Sequence, residues 1–205
     1  MRPGPPDHEK QGSVEKRPIH LRFSLLQFLV FAAIVAICVY AANTTYSALT
    51  RFDREVARWD EFGFHASNYG DDAPIVDTLI AVPERFRPEN LPAVFDNEDV
   101  DILVLKNTEV GDRDLAELWR IPKLMSLHLI NTHVTDAGIP DLLKCQKLAI
   151  LLLDGTSITD ACLPVLGHMK QLKELGIEGT KISDQGAEWL RNQLPTTRVF
   201  YEDGL

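Results

Sequence analysis

Two histidines and one recurring aspartate are the residues of this chain whose types and spacing could do chemistry. His128 and His133 lie close enough in sequence to share a metal ion. Four aspartates recur every 24 residues, at Asp112, Asp136, Asp160 and Asp184. A cation site is one interpretation of that column, but a calcium loop needs several oxygen ligands within one loop. We therefore expect each aspartate to pair with free backbone N–H groups at the start of a short helix.

Catalytic chemistry has no other support in the sequence. There is no serine in a nucleophile elbow, no glycine-rich phosphate loop and no pair of cysteines at zinc-binding spacing. His128 is expected on an exposed strand face and His133 in the turn that follows, so the two imidazoles should diverge. We expect a protein that is not an enzyme, with no catalytic residues, no metal and no cofactor.

The aspartates belong to a 24-residue unit that is written four times. The copies open at Val100, Leu124, Leu148 and Leu172, with no insertion between them. Four further columns recur with them: Leu103, Leu127, Leu151 and Leu175; Leu105, Leu129, Leu153 and Ile177; Thr108, Thr132, Thr156 and Thr180; Leu118, Leu142, Leu166 and Leu190. A fixed period of this length predicts a solenoid of stacked repeats.

Each column has a physical reason. Leu127 and Leu129 alternate at period two, which puts both on the buried face of a strand. Thr132 follows where the chain leaves the strand, and its hydroxyl can satisfy backbone groups that would otherwise be buried unpaired. Ile139, Leu142 and Leu143 are spaced i, i+3 and i+4, which predicts one buried face of a short helix.

The pattern L-x-x-L-x-L-x-x-T-x-[VI]-x-D resembles the leucine-rich repeat, with Thr where the commonest form has Asn or Cys. The runs at residues 134–139 and 158–163 are similar to the ITDxGL turn of the ribonuclease-inhibitor-like and cysteine-containing subclasses. Short Thr-bearing repeats of this kind are also similar to repeat proteins abundant in planctomycete bacteria. The resemblance implies an α/β solenoid with a parallel sheet on its concave face and short helices on its convex face. It leaves the partner open, because the family binds unrelated proteins with one scaffold.

The N-terminal stretch predicts a tail and one membrane span. Residues 1–20 contain four prolines and few aliphatic residues, which predicts a disordered tail. Residues 21–43 contain an apolar run of twenty residues, about the 30 Å thickness of a bilayer as a helix. A buried helix of a soluble domain is the bland alternative, and a cleaved signal peptide is the more serious one. The run exceeds the usual length of a signal-peptide core, so we expect an uncleaved signal anchor.

The flanking charges set the expected orientation. Lys16, Arg17 and Arg22 precede the span closely, and the first cation after it is Arg51. The positive-inside rule therefore places the N-terminal tail in the cytoplasm and the repeats on the extracytoplasmic side of the inner or cell membrane.

Residues 44–75 are expected to form a helical stalk or linker, because apolar residues recur at spacings of three and four. A short dimeric coiled coil or a helix on the headgroups would fit the same stripe. Residues 76–99 match the repeat only in part and predict a degenerate N-terminal capping repeat. Residues 100–205 hold the repeats and a terminal strand containing Val199 and Tyr201.

The concave sheet face is the expected binding surface, since solenoids present extended sheets to partners. Exposed apolar patches of its extent commonly mark interaction sites. The expected partner-binding residues are Ile102, Val104, Met125, His128, Ile130, Ile150, Leu152, Glu174, Glu178 and Phe200. The bland alternative is that the stalk or the segment 57–75 folds back over this patch. Leu152→Asp should abolish binding and leave the fold intact.

Charge narrows the class of partner. The first 22 residues hold five cations and three acids, a net charge of +2, and the rest holds 16 cations against 27 acids, a net charge of −11. An acidic exterior argues against nucleic acid. We expect an unknown protein partner, with self-association through the stalk or the concave patch as the alternative. Cys145 and Cys162 fall at different repeat positions and are expected to pack as small apolar residues rather than to form a disulfide.

Overall fold

The leucine columns of the repeats form one continuous sheet. The structure is a computed structural model that describes residues 25–67, 77–95 and 97–201, with the backbone alone for residues 25–31 and 45–52. The chain divides into two units, Met1–Thr44 and Thr45–Leu205. The second unit contains seven strands: β1 Phe64–Ser67, β2 Thr78–Ala81, β3 Ile102–Val104, β4 Ser126–His128, β5 Ile150–Leu152, β6 Glu174–Gly176 and β7 Arg198–Phe200.

Strands β2 to β7 are parallel and lie in chain order, and each repeat pairs with the next at a register of 24 residues. Leu127, for example, is opposite Leu103 on one side and Leu151 on the other. Equivalent leucines therefore stack in continuous rows, and all members of one column are fully buried: Leu103, Leu127, Leu151 and Leu175. The predicted α/β solenoid with a parallel sheet is confirmed.

The threonine column satisfies the backbone where each strand ends. Thr132 Oγ1 donates to the carbonyl of Leu129 at 2.7 Å, and Thr108, Thr156 and Thr180 donate in the same way to the carbonyls of Leu105, Leu153 and Ile177. The first three hydroxyls are buried with their acceptors. An unpaired carbonyl there would cost about 1–3 kcal/mol, so the predicted role of the threonine hydroxyl is confirmed.

The helices on the helical side are wound more tightly than the spacing of their apolar residues predicts. Most connections are 3₁₀ helices, including Asp112–Leu115, Leu118–Arg120 and Ile139–Lys144. The described α-helices of the repeats are α2 Leu163–Leu166 and α3 Asp184–Gln193.

The prediction that Leu143 shares a buried face with Ile139 and Leu142 is wrong. Ile139 and Leu142 are fully buried, but Leu143 is 42% exposed. A 3₁₀ helix has three residues per turn, so positions i and i+3 lie on one face and position i+4 turns away from it.

The aspartate column joins neighbouring repeats. Asp112, Asp160 and Asp184 do lie in the first turn of a helix, but the backbone N–H groups that bond to Asp112, Asp136 and Asp160 belong to the next repeat. Asp136 accepts two hydrogen bonds from Thr159 of the next repeat, one from its N–H and one from its hydroxyl, each at 2.7 Å. Asp112 accepts the same pair from Thr135, and Asp160 from Ser183. Each carboxylate thus fixes the turn of the following repeat.

Two helix starts are capped by the residue just before the aspartate of the same repeat. The Thr159 hydroxyl accepts a hydrogen bond from the N–H of Ala161, and Ser183 caps α3 by accepting from Gly186. One hydroxyl therefore does two things: it donates to the aspartate of the previous repeat and accepts from its own helix. Short hydroxyl side chains are preferred at this cap position.

The N-terminal end of the core is closed by residues expected in the stalk. Helix α1 runs over Leu25–Glu61 and ends before Gly63, whose φ of +82° is favourable for glycine. The chain then forms β1, antiparallel to β2. Trp59, Phe64 and Phe86 are buried together, with the Phe64 and Phe86 rings 4.8 Å apart.

Residues 44–75 are therefore not helical throughout. Residues 64–67 form an edge strand, because their alternating Phe64 and Ala66 supply the apolar face that covers the open first repeat. In the adjoining β2, Leu79 is opposite Leu103, so residues 78–80 share the register of the repeats.

The membrane prediction concerns the first unit. No helix in the described ranges is both long enough and apolar enough to cross a bilayer. The expected tail at residues 1–20 lies outside the described residues, as do residues 21–24 of the expected span at residues 21–43. The span stays a prediction.

The bond from Asp136 to Thr159 can be tested through stability. Asp136→Ala should lower the free energy of unfolding of a 45–205 fragment by about 2 kcal/mol, because it leaves an N–H and a hydroxyl without their charged acceptor. Asp184→Ala is the matched control, since this column member is exposed and, within the described ranges, accepts from the Tyr201 hydroxyl. It should cost less than about 1 kcal/mol. Urea denaturation measures both, and equal losses would contradict a role for Asp136 between repeats.

Candidate interaction surface

The side chains that flank the buried leucines form the outer sheet face, defined here by residues 101, 102, 104 and 106 and their equivalents in the other repeats. The sheet register aligns Val104, His128, Leu152, Gly176 and Phe200 in one column, and Ile102, Ser126, Ile150, Glu174 and Arg198 in another. Of the ten expected binding residues, Met125 is exposed and nine are half-buried: Ile102, Val104, His128, Ile130, Ile150, Leu152, Glu174, Glu178 and Phe200.

A shallow groove of about 310 Å³ runs across this face at the N-terminal ends of the strands. Its apolar residues are Ile102, Met125, Ala149 and Ile150, and its polar residues are Asp77, Asp101, Ser126, Lys173 and Glu174. The structure therefore brings Ile102, Met125, Ile150 and Glu174 of the expected set into one site. Val104, Leu152 and Phe200 belong to the neighbouring column and do not line the groove.

One carboxylate of the groove is unusual. Asp101 Oδ1 is buried, yet it accepts no hydrogen bond from the described residues. The Asp101 backbone carbonyl is fully used, since it accepts from the N–H groups of Met125 and Ser126 at 2.8 and 3.0 Å. A buried acceptor without a donor is costly, so this oxygen favours a ligand that brings an N–H group into the groove.

His128 is held within the sheet face and not in a metal site. Its Nε2 lies 3.0 Å from Ser126 Oγ. Burial lowers the pKa of His128 below its ordinary value, and the nearby Asp154 carboxylate opposes this effect. His133 is exposed, and its backbone bridges to Gly111. Within the described ranges, no group of three or more His, Cys, Asp and Glu side chains is placed to hold a metal ion.

Asp154 is a surface residue that the sequence did not single out for binding. Its Oδ1 accepts from the Glu178 N–H at 2.8 Å. Its other carboxylate oxygen lies over Gly176, where an added Cβ would come within 2.6 Å of it. Gly176 stands in a column that otherwise holds Val, His, Leu and Phe, so this break in the column was the available signal.

A second column that the sequence reasoning did not single out lies three residues after strands β3 to β6 and has positive φ. Asn107, Asn131, Gly155 and Gly179 have φ values of 58°, 53°, 68° and 63°. Asn and Gly are the residues that adopt this conformation most readily. The Asn131 amide donates to Asn107 Oδ1 at 2.9 Å, and its own oxygen occupies the space above Gly155. An Asn or Gly every 24 residues was visible in the sequence.

The segment expected to cover the patch packs elsewhere in its described part. Of residues 57–75, the structure describes 57–67, and these contribute Trp59 and Phe64 to the N-terminal end of the core. Residues 68–75 lie outside the described residues. Residues 57–67 therefore give no support to the alternative in which this segment folds back over the outer sheet face.

Both cysteines of the repeats are buried and free. Burial raises the pKa of the Cys145 thiol to about 11, and burial together with the Asp136 carboxylate raises that of Cys162 to about 12. Neither thiol is ionised near neutral pH, so both lack the thiolate that nucleophilic or metal-binding chemistry requires.

Comparison with known proteins yields structural likenesses alone. No protein-family model matches the chain, and no curated protein matches it. The tropomodulin C-terminal domain of Caenorhabditis elegans is 16% identical over 55% of this chain and 78% of its own, with a TM-score of 0.44. Internalin C2 of Listeria monocytogenes is 18% identical over 62% of this chain and 74% of its own, with a TM-score of 0.39. Internalin F of the same species is 16% identical over 51% of this chain and 37% of its own, with a TM-score of 0.35.

These likenesses are too distant to assign a function. Their TM-scores are below 0.5, and the parallel sheet and its register rest on this chain's own hydrogen bonds. The repeat subclass expected from residues 134–139 and 158–163 stays a prediction.

His128 should make stability depend on pH. Its folded-state pKa is below the ordinary value of about 6.5, so the neutral form stabilises the fold above pH of about 6.5. That contribution is lost as pH falls through the folded pKa. His128→Gln should therefore flatten the fall in unfolding free energy on the acid side of about pH 6.5, and His133→Gln, at an exposed site, is the matched control. Denaturant titrations across this range measure the slope, and equal behaviour of the two variants would contradict the assignment.

Proposed function

We propose that this chain is a membrane-anchored protein-recognition module whose outer sheet face binds a protein partner. The observation that carries the proposal is the groove of Ile102, Met125 and Ile150 beside Asp101. It combines accessible apolar surface with a buried carboxylate oxygen that accepts no hydrogen bond from the described residues. Such a combination matches a polypeptide that contributes an apolar side chain and an N–H donor.

The charges of the face favour a partner segment that carries at least one cation. Asp77, Asp101 and Glu174 border the groove, against the single cation Lys173. Asp154 and Glu178 extend the acidic character toward the C-terminal ends of the strands. Complementary charge of this kind contributes more to specificity and to the association rate than to affinity.

The anchor is the second part of the proposal. The apolar run within residues 21–43 supports it, and in its described part the side chains of residues 32–44 are exposed, with Ile37 at 67% and Tyr40 at 72%. Large apolar side chains exposed along one helix favour a lipid environment. Lys16, Arg17 and Arg22 before the run favour a cytoplasmic N-terminus and extracytoplasmic repeats.

A structural envelope component that associates only with itself is the rival function. The same groove would then receive a second copy of the chain. The two functions predict different behaviour of the purified chain. Self-association predicts a mass in solution that rises with concentration, whereas binding to a separate partner leaves the purified chain monomeric.

Site-specific photocrosslinking in the native host tests the proposal. A benzoylphenylalanine introduced at position 150 should yield a crosslinked protein, because this side chain lines the groove. The same probe at position 137, where Ala137 is exposed on the helical side, should yield none. Glu174→Lys, which reverses a charge at the groove, should reduce the adduct by about tenfold.

The outcomes are separable. An adduct of twice the mass of the chain, together with a 45–205 fragment whose mass rises with concentration, would favour the self-associating rival. Equal adducts from positions 150 and 137 would contradict binding by the outer sheet face. The anchor is tested independently: extraction at alkaline pH should leave the full chain in the membrane fraction, and its release would contradict the anchor alone.

A further inference from the structure

A second surface lies on the edge where each repeat returns from the helical side to the next strand. We define the return edge as residues 119–125, 143–149 and 167–173, the three segments that lead into β4, β5 and β6. These segments occupy equivalent positions in successive repeats, so they stack side by side with the strands at about 4.8 Å per repeat.

The return edge is basic in an acidic chain. Its 21 residues contain no Asp or Glu and six cations: Arg120, Lys123, Lys144, Lys147, Lys170 and Lys173. The whole chain has a net charge of −9, so this concentration of cations opposes the overall balance. It adjoins the acidic groove of the outer sheet face, with which it shares Met125, Ala149 and Lys173.

Some of these cations are already partly neutralised at the surface. Lys144 lies 2.7 Å from Asp141, and Arg120 lies 2.6 Å from Glu117, both as exposed pairs. Exposed pairs of this kind contribute little and exchange readily. Lys123 also lies 3.9 Å from Asp99 in an exposed pair, whereas the Lys147 side chain makes no ion pair or hydrogen bond with the described residues.

Large apolar side chains are exposed among the cations. Trp119 is 51% exposed, Met125 46% and Leu143 42%. Trp189 is 39% exposed and reaches the same edge, because its ring lies against Gly167, where an added Cβ would come within 2.9 Å of it. Elsewhere among the described residues of the second unit, Ile80 is the one large apolar side chain that is exposed.

A shallow groove joins the two kinds of side chain. It has a volume of about 190 Å³ and lies between Trp119 and the segment that carries Lys144 and Lys147. The aromatic ring and the ammonium groups of the neighbouring repeat therefore share one surface. Basic and apolar groups interleaved in this way can contact an anionic layer whose interior is apolar.

We propose that the return edge docks on the surface of a bilayer that contains anionic phospholipids, with the lysines at the headgroups and Trp119 and Leu143 at their apolar boundary. The inference rests on the proposed function in one respect: the anchor keeps the repeats at high local concentration beside the bilayer. Tryptophan is enriched at membrane interfaces, and each lysine near an anionic surface adds to the attraction.

The composition of the edge favours lipid over an acidic protein. Five of its six cations are lysines. Arginine is the residue that recognises a carboxylate with a paired fork of hydrogen bonds, whereas lysine acts as a mobile point charge. A row of point charges suits a fluid layer of headgroups, which needs no fixed geometry.

The test uses the full chain with vesicles of phosphatidylcholine alone, or of an equal mixture of phosphatidylcholine and phosphatidylglycerol, each containing brominated lipid that quenches nearby tryptophan. The signal of Trp119 is the difference between the wild-type chain and Trp119→Phe. We expect quenching of Trp119 in the mixed vesicles, little in phosphatidylcholine alone, and its loss at high salt.

Charge variants make the result specific. The double variant Lys144→Gln, Lys147→Gln should weaken the docking by about tenfold or more. The matched control is Lys106→Gln, Lys181→Gln, which removes the same charge at exposed positions away from the return edge and should leave the quenching unchanged. Circular dichroism checks that both variants are folded.

The failure of each proposal has its own signature. If the anchor is absent, the chain should not bind vesicles of phosphatidylcholine alone, but it should still bind the mixed vesicles through Lys144 and Lys147. If Trp119 is unquenched in both lipids, or the two double variants behave alike, lipid docking is overturned. With the amount of bound chain held constant, quenching that falls as the chains are crowded in the bilayer would assign the edge to a second copy of the chain and would overturn lipid docking as well.

Discussion

Each repeat of this protein is completed only by its neighbour. The strands are three residues long in the repeats, so none can satisfy its backbone or bury its leucines alone. The next repeat supplies the partner strand at a shift of 24 residues, and Asp112, Asp136 and Asp160 receive two hydrogen bonds each from the turn that follows. Any insertion within a repeat would break the strand register and the aspartate bonds together, which explains why the period is kept so strictly.

The same constraint organises the surface. Because every repeat position is copied at about the strand spacing, one residue choice becomes a row of side chains. The outer sheet face collects apolar residues and carboxylates around the groove at Asp101, while the return edge collects lysines around Trp119 and Leu143. Two adjoining surfaces of opposite charge thus arise on one small solenoid. The function proposed above, a recognition module held beside a bilayer, would use both surfaces.

Sequence reasoning succeeded where a residue's role depends on its own strand. Alternation at period two was enough to bury Leu127 and Leu129, and the threonine after them does bond to the strand's carbonyl. It failed where the partner lies in another repeat. An aspartate before a helix has the local signature of a cap, yet Asp136 reaches forward to Thr159. Of the ten expected binding residues, only four line one groove. Alternation at period two predicts on which face of the sheet a side chain lies, but not the shape of the surface around it.

The sequence by itself determined the period, the buried columns and the parallel stacking, because these follow from side-chain alternation and from identical units that must share one core. Tertiary structure alone decided the rest. The tight 3₁₀ turns leave Leu143 exposed, and Phe64 and Ala66 become an edge strand because the first repeat must be covered. Trp189 is brought to the return edge by the absence of a side chain at Gly167. Each of these depends on the space left by a neighbouring repeat, which no local pattern encodes.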